Sequence, residues 1–551
     1  MKYIPLFFLI FFHNVIQATL TYENVSKRLE QMISDAANNK FDITTALLSI
    51  DENEIDILVN PSIVYFDNMK LIAEAKIASK GAATGVLCFN INEIARLKQT
   101  YGSVIWVTDY VNNDGLSHIE DLAGIFAIKE DPSSHAVIVT RVSNLPCLTL
   151  PEDVVITENT LITPFGVYHE GDFVSLDAFN GKLFAGLLPI HREINTSLLN
   201  IIMNWAEQFS KLSVHGNADT PEESQLALNF GAKGVDPRTE HMFLHPERLH
   251  LFRKAIFYRS ENKSILDALE ELQRKDFVEL YQTMKLYPAK IRLLDPPLHE
   301  FLPTDESLVN SLAVDLDIPL DILKENIQNL REINPMIGNR GVRLLLTYPE
   351  ILRMQVRAIF EAAQDPSVKQ YAVEPWITIP MIISDKEVLA VKKIIDEIRD
   401  EISSERGVHI NYHLGVMIET PRACLLANEI APYIDYISFG TNDLTGQTLA
   451  LSRGDVYNKF LKHYLDNGIL SHDPFNQLDP AVIQLLKITV DHIRQADHSI
   501  SIGICGEQAS EKSGVFVCNQ LGFQNVSCAP TRVPAVKLFA AQAAIQEILA
   551  K

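Results

Sequence analysis

Residues 72–189 alternate short apolar runs with polar turns. The runs at 85–89, 103–108, 136–140 and 172–176 are rich in β-branched residues, and glycines and polar residues separate them. Runs of this length between turn residues are typical of strands. The pattern predicts a compact mixed α/β domain of about a hundred residues, which is a common domain size.

Residues 190–212 carry apolar side chains at helical spacing, which predicts a connecting helix. Short apolar runs follow, and a helical stretch succeeds most of them. These runs are 231–235, 290–294, 341–346, 376–382, 413–418, 433–439, 499–505 and 524–528. Eight such alternations predict a (β/α)8 TIM barrel with insertions. Catalytic groups of these barrels lie at the carboxyl ends of the strands, so the residues that follow each run are the candidates for chemistry.

Length and charge add two constraints. A chain of 551 residues is longer than one core normally serves, so two or more domains are expected. The 48 basic and 70 acidic side chains give a formal charge of −22. This charge repels nucleic acid and anionic lipid, so neither is an expected partner, and an anionic substrate needs a local cluster of arginines. The six cysteines lie far apart, which argues against a zinc site or a disulfide framework.

The first 18 residues have the form of a secretory signal peptide. Lys2 precedes an apolar run at 4–12, and Ala18 supplies a small residue near a cleavage position. The run is too short to span a bilayer, which takes roughly 20 apolar residues, so no stable membrane span is expected. The alternative is a buried strand or helix. We therefore expect export, with a cytoplasmic location as the alternative that a cytoplasmic substrate would favour.

Arginines follow successive predicted strands. Arg238 and Arg292 would converge over the mouth of a barrel, and Arg340 is a third candidate. A guanidinium group binds phosphate or carboxylate through two hydrogen bonds. A lone arginine is more often part of a salt bridge at the rim, but two at successive strand ends favour an anion site.

Carboxylates follow two later strands. Glu419 ends one run, and Asn442 and Asp443 follow the next. Two carboxylates with few other ligands suit Mg²⁺, which keeps waters and takes oxygens from its substrate. The alternative is that Asp443 and Thr441 cap a helix.

Two further residues are candidates for proton or phosphoryl transfer. Cys505 stands between two glycines at a strand end, which leaves its thiol open as a proton donor, although most buried cysteines are inert. His135 follows Pro132-Ser-Ser at the start of a predicted strand, where it would be exposed enough to be a nucleophile. A lone histidine is more often structural.

From about residue 72 to its end the chain resembles the pyruvate, phosphate dikinase family and, more distantly, other phosphoenolpyruvate-utilising enzymes. The matching motifs follow the family order, which makes the resemblance specific. They are Asn217-Ala-Asp-Thr-Pro, Arg238-Thr-Glu-His-Met-Phe, Ile291–Pro303, Asn334-Pro-Met-Ile-Gly, Ser438–Thr445, Gly503–Glu507 and Val526–Pro534.

This resemblance implies a domain order and a set of roles. After the signal peptide at 1–18 come a segment at 19–70, a swivelling phosphohistidine α/β domain at 71–189, the connecting helix at 190–213 and the TIM barrel at 214–551. His135 would carry the phosphoryl group and Cys505 would protonate the enolate. Phosphoenolpyruvate would be held by Arg238, Arg292, Arg340, Asn442, Asp443 and Glu419, of which Glu419 and Asp443 would also bind Mg²⁺. Family members associate through the barrel, so a homodimer is expected.

Several features depart from the family pattern. Family members begin with an ATP-grasp region, whereas only about 70 residues precede the swivelling domain here, without a glycine-rich phosphate loop. Glu130-Asp131 replace glycines before His135, and the turn 234–237 is one residue shorter. The stretches 452–455 and 508–510 also differ. ATP chemistry is thus expected only with a separate nucleotide-binding chain.

Three hypotheses follow. The first is an enzyme that performs the half-reaction in which phosphoenolpyruvate and His135 give pyruvate and phosphohistidine. The second is a phosphocarrier that passes the phosphoryl group to an acceptor protein. The third is a non-catalytic protein that retains phosphoenolpyruvate binding, which the charges at 130–131 favour slightly. The joint presence of the nucleophile, arginines, carboxylates and thiol favours the first.

Overall fold

A computed structural model describes most of the chain as two compact units. The described residues are 19–111, 118–129, 140, 144–151, 153–243, 246–258, 263–303, 305–452 and 456–550. The units are Met1–Ile202 and Met203–Lys551. The predicted signal peptide at 1–18 and His135 lie outside the described residues, and the predicted domain boundaries stay predictions.

The first unit is built around a mixed sheet. Its helices are α1 (Tyr22–Ala37), α2 (Ile43–Ser49), α3 (Glu52–Val59) and α4 (Ile94–Tyr101), and α5 (Thr196–Glu207) begins in it. Its strands are β1 (Ser62–Ile63), β2 (Leu71–Glu74), β3 (Lys76–Ser79), β4 (Ala82–Cys88), β5 (Val104–Thr108), β6 (Gly124–Ala127), β7 (Cys147–Thr149), β8 (Val155–Thr157), β9 (Thr160–Thr163), β10 (Gly166–His169), β11 (Phe173–Asp177), β12 (Lys182–Ala185) and β13 (Ile190–His191).

Eight of these strands form one sheet in the order β2-β12-β11-β4-β5-β6-β7-β3. Successive side chains of a strand point to opposite faces. Leu87, Ile105 and Phe126 accordingly pack in one apolar cluster. Their neighbours Val86, Val104 and Ile125 pack in a second cluster. The sheet is therefore buried on both faces, which explains why its strands read as nearly continuous apolar runs.

Residues 19–70 pack within the first unit. Strand β1 pairs with β13, the Tyr65 hydroxyl donates to Asp177 at 2.6 Å, and Lys80 donates to Asp56 at 2.6 Å. The apolar run Ile57–Val59 ends helix α3 and does not form a strand. A capping box of Asp51 and Glu54 begins that helix, and its local hydrogen bonds favour a helix over a strand.

The second unit contains a curved parallel sheet and its surrounding helices. The strands are β14 (Ser213–Gly216), β15 (Lys290–Arg292), β16 (Trp376–Ile379), β17 (His413–Ile418), β18 (Tyr436–Gly440), β19 (Ser501–Cys505) and β20 (Asn525–Cys528). The helices are α6 (Pro221–Asn229), α7 (Thr239–Met242), α8 (Pro246–Tyr258), α9 (Lys263–Met284), α10 (Glu306–Leu316), α11 (Leu320–Leu330), α12 (Val342–Thr347), α13 (Pro349–Ala363), α14 (Asp385–Arg406), α15 (Pro421–Leu425), α16 (Ala427–Ile430), α17 (Thr441–Leu449), α18 (Lys462–Asp466), α19 (Pro480–Ala496), α20 (Glu507–Ser510), α21 (Lys512–Leu521) and α22 (Val533–Ala550).

The strand order is β14-β20-β19-β18-β17-β16-β15, and every neighbouring pair is parallel. Val235 forms isolated bridges to Gly216 of β14 and to Ala289 beside β15, and Arg238 bridges Arg292. The predicted strand 231–235 thus contributes bridges rather than a full strand. The α/β class and the curved parallel sheet agree with the expectation.

Two further differences from the predicted strands concern helix α12 and strand β14. The run 341–346 lies in helix α12, where Val342, Leu344 and Leu345 are buried. Strand β14 was missed, because Ser213-Val-His-Gly has a single large apolar residue. A short apolar run does not distinguish a strand from one buried helical turn.

Helix α22 is apolar on all sides and lies in the core of the second unit. Pro530–Ala550 is long and apolar enough to cross a membrane by length and composition, and 72% of its most apolar window is buried inside the protein. Burial within the fold accounts for this composition, since a helix in the core has no polar face.

Candidate active site

The parallel strands bring the predicted site residues to one edge of the sheet. Arg292 is the last residue of β15, Glu419 directly follows β17, and Asp443 lies in the first turn of α17 after β18. Cys505 ends β19. Because the carboxyl ends of parallel strands share one edge, these side chains lie close together without any insertion to place them.

Arg340 joins two carboxylates of this edge. Its Nε donates to Asp295 Oδ1 at 3.1 Å and its Nη1 donates to Asp443 Oδ1 at 2.9 Å. The adjacent Gly341 has a φ of 57°, and a Cβ there would meet Met381, so only glycine fits this turn. The turn places Arg340 against β15 and α17, where its side chain is 13% exposed.

Arg238 and Arg292 lie side by side, because their backbones form a parallel bridge. Arg238 Nη2 donates to Asp219 at 2.6 Å, and Arg292 Nη2 donates to Glu240. Arg292 Nε is buried and has no hydrogen-bond partner among the described residues. Each guanidinium has five N–H donors, so both arginines keep donors for an anion beyond those used in the ion pairs.

Glu419 is the most enclosed carboxylate of the site, with 1% of its surface exposed. Its Oε1 accepts a hydrogen bond of 2.6 Å from the Met381 backbone N–H. A Cβ on Gly440 would clash with Glu419 Oε2, so the glycine at the end of β18 provides the space for this side chain. Burial, followed by the charges of Asp295 and Asp443, raises the pKa of Glu419 well above its ordinary value.

The charges around the three arginines do not balance. Burial also raises the pKa of Asp443, with Asp295 adding to this effect and Arg340 opposing it. Burial acts in the same direction on Asp295, but Arg340 and Arg292 outweigh it and hold that pKa below its ordinary value. Three guanidinium groups lie among six carboxylates, which are Asp219, Glu240, Asp295, Glu300, Glu419 and Asp443. Burial opposes the negative charge of Glu419 and Asp443, and a bound cation would stabilise it.

The donor set fits Mg²⁺ only if other ligands come from solvent and substrate. Within the described part of the chain, no group of three His, Cys, Asp or Glu side chains is placed to hold a metal ion. Glu419 and Asp443 offer hard carboxylate oxygens, which Mg²⁺ accepts in ones and twos while keeping several waters. The side chains thus fit a cation whose coordination sphere the substrate completes.

Cys505 and Asn442 complete the edge. The Cys505 thiol is partly exposed and donates to the Phe439 carbonyl oxygen at 3.3 Å. Burial and then Asp236 raise the pKa of Cys505 to about 12, so the thiol keeps its proton at neutral pH. Asn442 Oδ1 is buried and has no hydrogen-bond partner among the described residues, which leaves an acceptor for a ligand.

Two acidic partners of the arginines, Asp219 and Glu240, were not predicted from the sequence. The pKa of Asp219 is raised by burial, but the hydrogen bond from His241 and the charge of Arg238 outweigh this and hold it well below its ordinary value. Asp219 and Glu240 both stand inside the motifs around 217–221 and 238–243. Glu240 lies close to Arg238 in the sequence, and Asp219 follows strand β14. These positions were the sequence signals that could have indicated a role at the site. His135 lies outside the described residues.

Comparison with known proteins finds one family over most of this chain. Residues 195–545 match the family described as "PEP-utilising enzyme, PEP-binding domain". The chain is 39% identical over 512 residues to the chloroplastic pyruvate, phosphate dikinase of Flaveria trinervia, covering 91% of this chain and 54% of that protein. It is 36% identical over 511 residues to the pyruvate, phosphate dikinase of Clostridium symbiosum, covering 91% and 58%. The chain thus spans little more than half the length of these relatives.

Proposed function

This chain belongs to the family of PEP-utilising enzymes, and we propose that it transfers a phosphoryl group between phosphoenolpyruvate and its own His135 in the presence of Mg²⁺. Pyruvate is the product, and the reaction is reversible. The observation that carries the proposal is the convergence of Arg238, Arg292 and Arg340 with buried carboxylates at the carboxyl ends of the parallel strands.

The proposal includes the architecture expected from the sequence. The second unit is a closed (β/α)8 barrel, which the bridges of Val235 to both outer strands support. Residues 71–189 act as the swivelling phosphohistidine domain, an assignment that rests on the resemblance to the relatives named above. The secretory leader at 1–18 and export of the protein remain part of the proposal.

The arginines bind the substrate anion. Phosphoenolpyruvate carries a phosphate and a carboxylate, and a guanidinium group pairs with either through two hydrogen bonds. Arg292 offers its Nε, which is buried and without a partner among the described residues. Asn442 offers an acceptor that a protonated ligand oxygen or a water fills.

Glu419 and Asp443 hold Mg²⁺ in this proposal. The bound cation supplies charge stabilisation to the oxygens of the phosphoryl and enolate groups. The side chains themselves fix the site, because the Met381 backbone N–H orients Glu419 and Arg340 orients Asp443. A carboxylate with a raised pKa gives up its proton when the cation takes the proton's place.

The transfer balances in atoms and charge. A ring nitrogen of His135 attacks phosphorus, a P–N bond forms, and the bond from phosphorus to the enol oxygen breaks with its electron pair staying on oxygen. The Cys505 thiol gives its proton to the methylene carbon of the resulting enolate, which becomes pyruvate. The imidazole loses a proton to solvent, and the thiolate regains one from solvent.

The test uses purified full-length protein with Mg²⁺ and phosphoenolpyruvate labelled with ³²P. Acid-labile label is expected on the protein and is expected to disappear in His135→Ala. His118→Ala is the matched control, since it removes another histidine of the same unit. The label should return to pyruvate when pyruvate is added in excess.

The two alternative functions appear as distinct outcomes. A phosphocarrier would be labelled as well, but its label would move to an acceptor protein, or to a separate ATP-grasp chain with adenine nucleotide. A non-catalytic binding protein would bind phosphoenolpyruvate in calorimetry and take up no label. The absence of label with binding intact would therefore rule out the half-reaction.

A further inference from the structure

A polar cluster lies beneath the candidate site, among side chains that the proposed reaction does not use. It consists of His215 on β14, Asp236, Lys290 on β15 and Ser527 on β20. His215 Nδ1 lies 3.1 Å from Asp236 Oδ1, and the Ser527 hydroxyl donates to Asp236 Oδ2. Both carboxylate oxygens of Asp236 are thus held in place, although 15% of its side chain stays accessible.

The strand register places this cluster next to Cys505. Strands β19 and β20 are parallel with Ile504 opposite Val526, so one residue further along each strand Cys505 stands beside Ser527. In turn, Ser527 is opposite His215 of β14. Residues in register on neighbouring parallel strands point to the same face, and the strands are about 4.8 Å apart. A single serine therefore separates the thiol from the Asp236 carboxylate.

Other titratable groups of the described residues also face the cluster, among them the Cys528 thiol and the Tyr436 hydroxyl, on both of which the Asp236 charge acts. Arg292 and Glu419 act on Cys505 from the site above it, with opposite effects on its proton affinity. The Lys290 ammonium lies 5.8 Å from the ring centre of Trp376 and 5.2 Å from that of Tyr436. Burial lowers the pKa of Lys290, and Asp236 and Cys505 partly offset this. Burial, with Lys290 adding to it, lowers the pKa of His215, so the histidine is mainly neutral and Asp236 carries the negative charge.

We propose that Asp236 is a positioning residue for Cys505. Its carboxylate is held in place by His215 and Ser527, and its negative charge keeps the Cys505 thiol protonated until the thiol donates its proton. A fixed anion near a thiol opposes formation of the thiolate. The thiol then stays intact until a carbanion-like carbon takes the proton, and the thiolate left behind is a strong base for the reverse direction. This role rests on the proposed function, since it assigns Asp236 to the same proton transfer.

The inference is tested on the resting protein, without substrate or metal, so its outcome does not depend on whether the half-reaction occurs. Cys505 is partly exposed and the other five cysteines are buried, so brief pulses of iodoacetamide report on it, with Cys505→Ser as the blank. The alkylated fraction of the Cys505 peptide is measured by mass spectrometry from pH 7 to 10.5. Alkylation follows the thiolate fraction, which changes about tenfold for each unit between pH and pKa.

The wild-type logarithmic rate is expected to rise in a straight line over the whole range. In Asp236→Asn the rate at pH 8 should rise at least about tenfold and the line should bend towards a plateau below pH 10.5. A mere change in access would multiply all rates equally and produce no bend. Ser527→Ala keeps the charge and should keep the straight line. An Asp236→Asn profile without a bend, in protein whose melting curve is cooperative, overturns the proposal.

A second variant covers the case in which Asp236→Asn does not fold. Asp236→Asn combined with Lys290→Met also removes the amine that the first change leaves unpaired. Burial lowers the Lys290 pKa and the Asp236 charge opposes this, so removing that charge lowers it further, and loss of the amine should change the thiol little. A bend in this variant supports the role of Asp236, and a straight line refutes it.

Discussion

Gly440 shows how one missing side chain shapes the candidate site. Its φ of −92° is available to any residue, so only space requires glycine here. The space is taken by Glu419, whose carboxylate would clash with a Cβ at this position. Glu419 cannot retreat easily, because the strand end and the Met381 N–H enclose it.

Gly440→Ala is therefore expected to displace the Glu419 carboxylate. Labelling by phosphoenolpyruvate should slow about a hundredfold, which is the typical effect of moving an active-site group of an enzyme by about 1 Å. Labelling rates measured at saturating Mg²⁺ check this. Gly468→Ala is the contrasting control, since its Cβ meets nothing but its φ of 66° strains alanine. The control should lower the melting temperature and leave labelling unchanged. Equal rates in both variants would contradict the steric argument.

At the scale of single residues, the sequence indicated the candidate groups at the strand ends better than the acidic residues that pair with them. Arg238, Arg292, Glu419 and Asp443 follow strands, and strand ends can be located from apolar runs. Asp219 and Glu240 neutralise arginines from other loops, and no local pattern states which loop folds over which strand. Asp236 gave no signal either, because its neighbours His215 and Ser527 lie far from it along the chain.

At the scale of elements, helix α17 connects two strand ends of the site. Thr441 is the first residue of this helix, and its hydroxyl oxygen lies 3.0 Å from the Cys505 carbonyl oxygen and 2.8 Å from Gln508 Oε1. Gly506 faces this hydroxyl at a φ of 115°, which leaves no space for a side chain. Thr441 thus ties the first turn of α17, which carries Asp443, to the end of β19, which carries Cys505.

Thr441→Val keeps the shape of the side chain and removes its hydroxyl. The hydroxyl has one proton to share between the two acceptors, so one buried acceptor loses its donor and the free energy of unfolding should fall by about 1–3 kcal/mol. Labelling should slow as well, because the carboxylate and the thiol are no longer held to one geometry. Urea denaturation and labelling rates measure the two effects. Thr100→Val, at an exposed helix position, is the control and should change neither. A stable variant that labels normally would show that the start of α17 and the end of β19 are fixed independently.

The strands and helices of the second unit also show where apolar runs in the sequence did not predict the correct element. Strands β15 to β20 were found from apolar runs, whereas 341–346 formed a helix and β14 was missed. The short run at 342–345 is apolar because α12 is enclosed, and Ser213-Val-His-Gly is polar because His215 faces the charge of Asp236. The spacing of apolar residues indicates which positions are buried. It predicts the wrong secondary structure when a buried position is polar or when a helix has only two turns.

At the scale of the whole molecule, the negative net charge and the arginine cluster act in opposition. A formal charge of −22 disfavours the approach of an anion, and the local guanidinium groups overcome this only at short range. The cluster is itself rich in carboxylates, so a bound divalent cation would make its field more favourable to an anion. The proposed binding of phosphoenolpyruvate would therefore depend on the cation.

The last prediction concerns association of whole molecules. The resemblance to the family predicts a homodimer through the barrel, and the second unit exposes Ile548 and Leu549 at the end of α22, with 59% and 63% of their surface accessible. Two chains of 61.9 kDa give about 124 kDa in sedimentation equilibrium. The double change Ile548→Glu and Leu549→Glu should shift the mass towards one chain, since burying two carboxylates opposes contact.

Val167→Glu is the matched control for this prediction, because it places the same charge on an exposed apolar residue of the first unit. It should leave the mass near that of two chains. A dimer that survives the double change would mean that the contact uses another face of the barrel. A wild-type mass of one chain would instead mean that the end of α22 is simply a solvent-exposed helix terminus, and that the barrel of this chain completes its site without a partner copy.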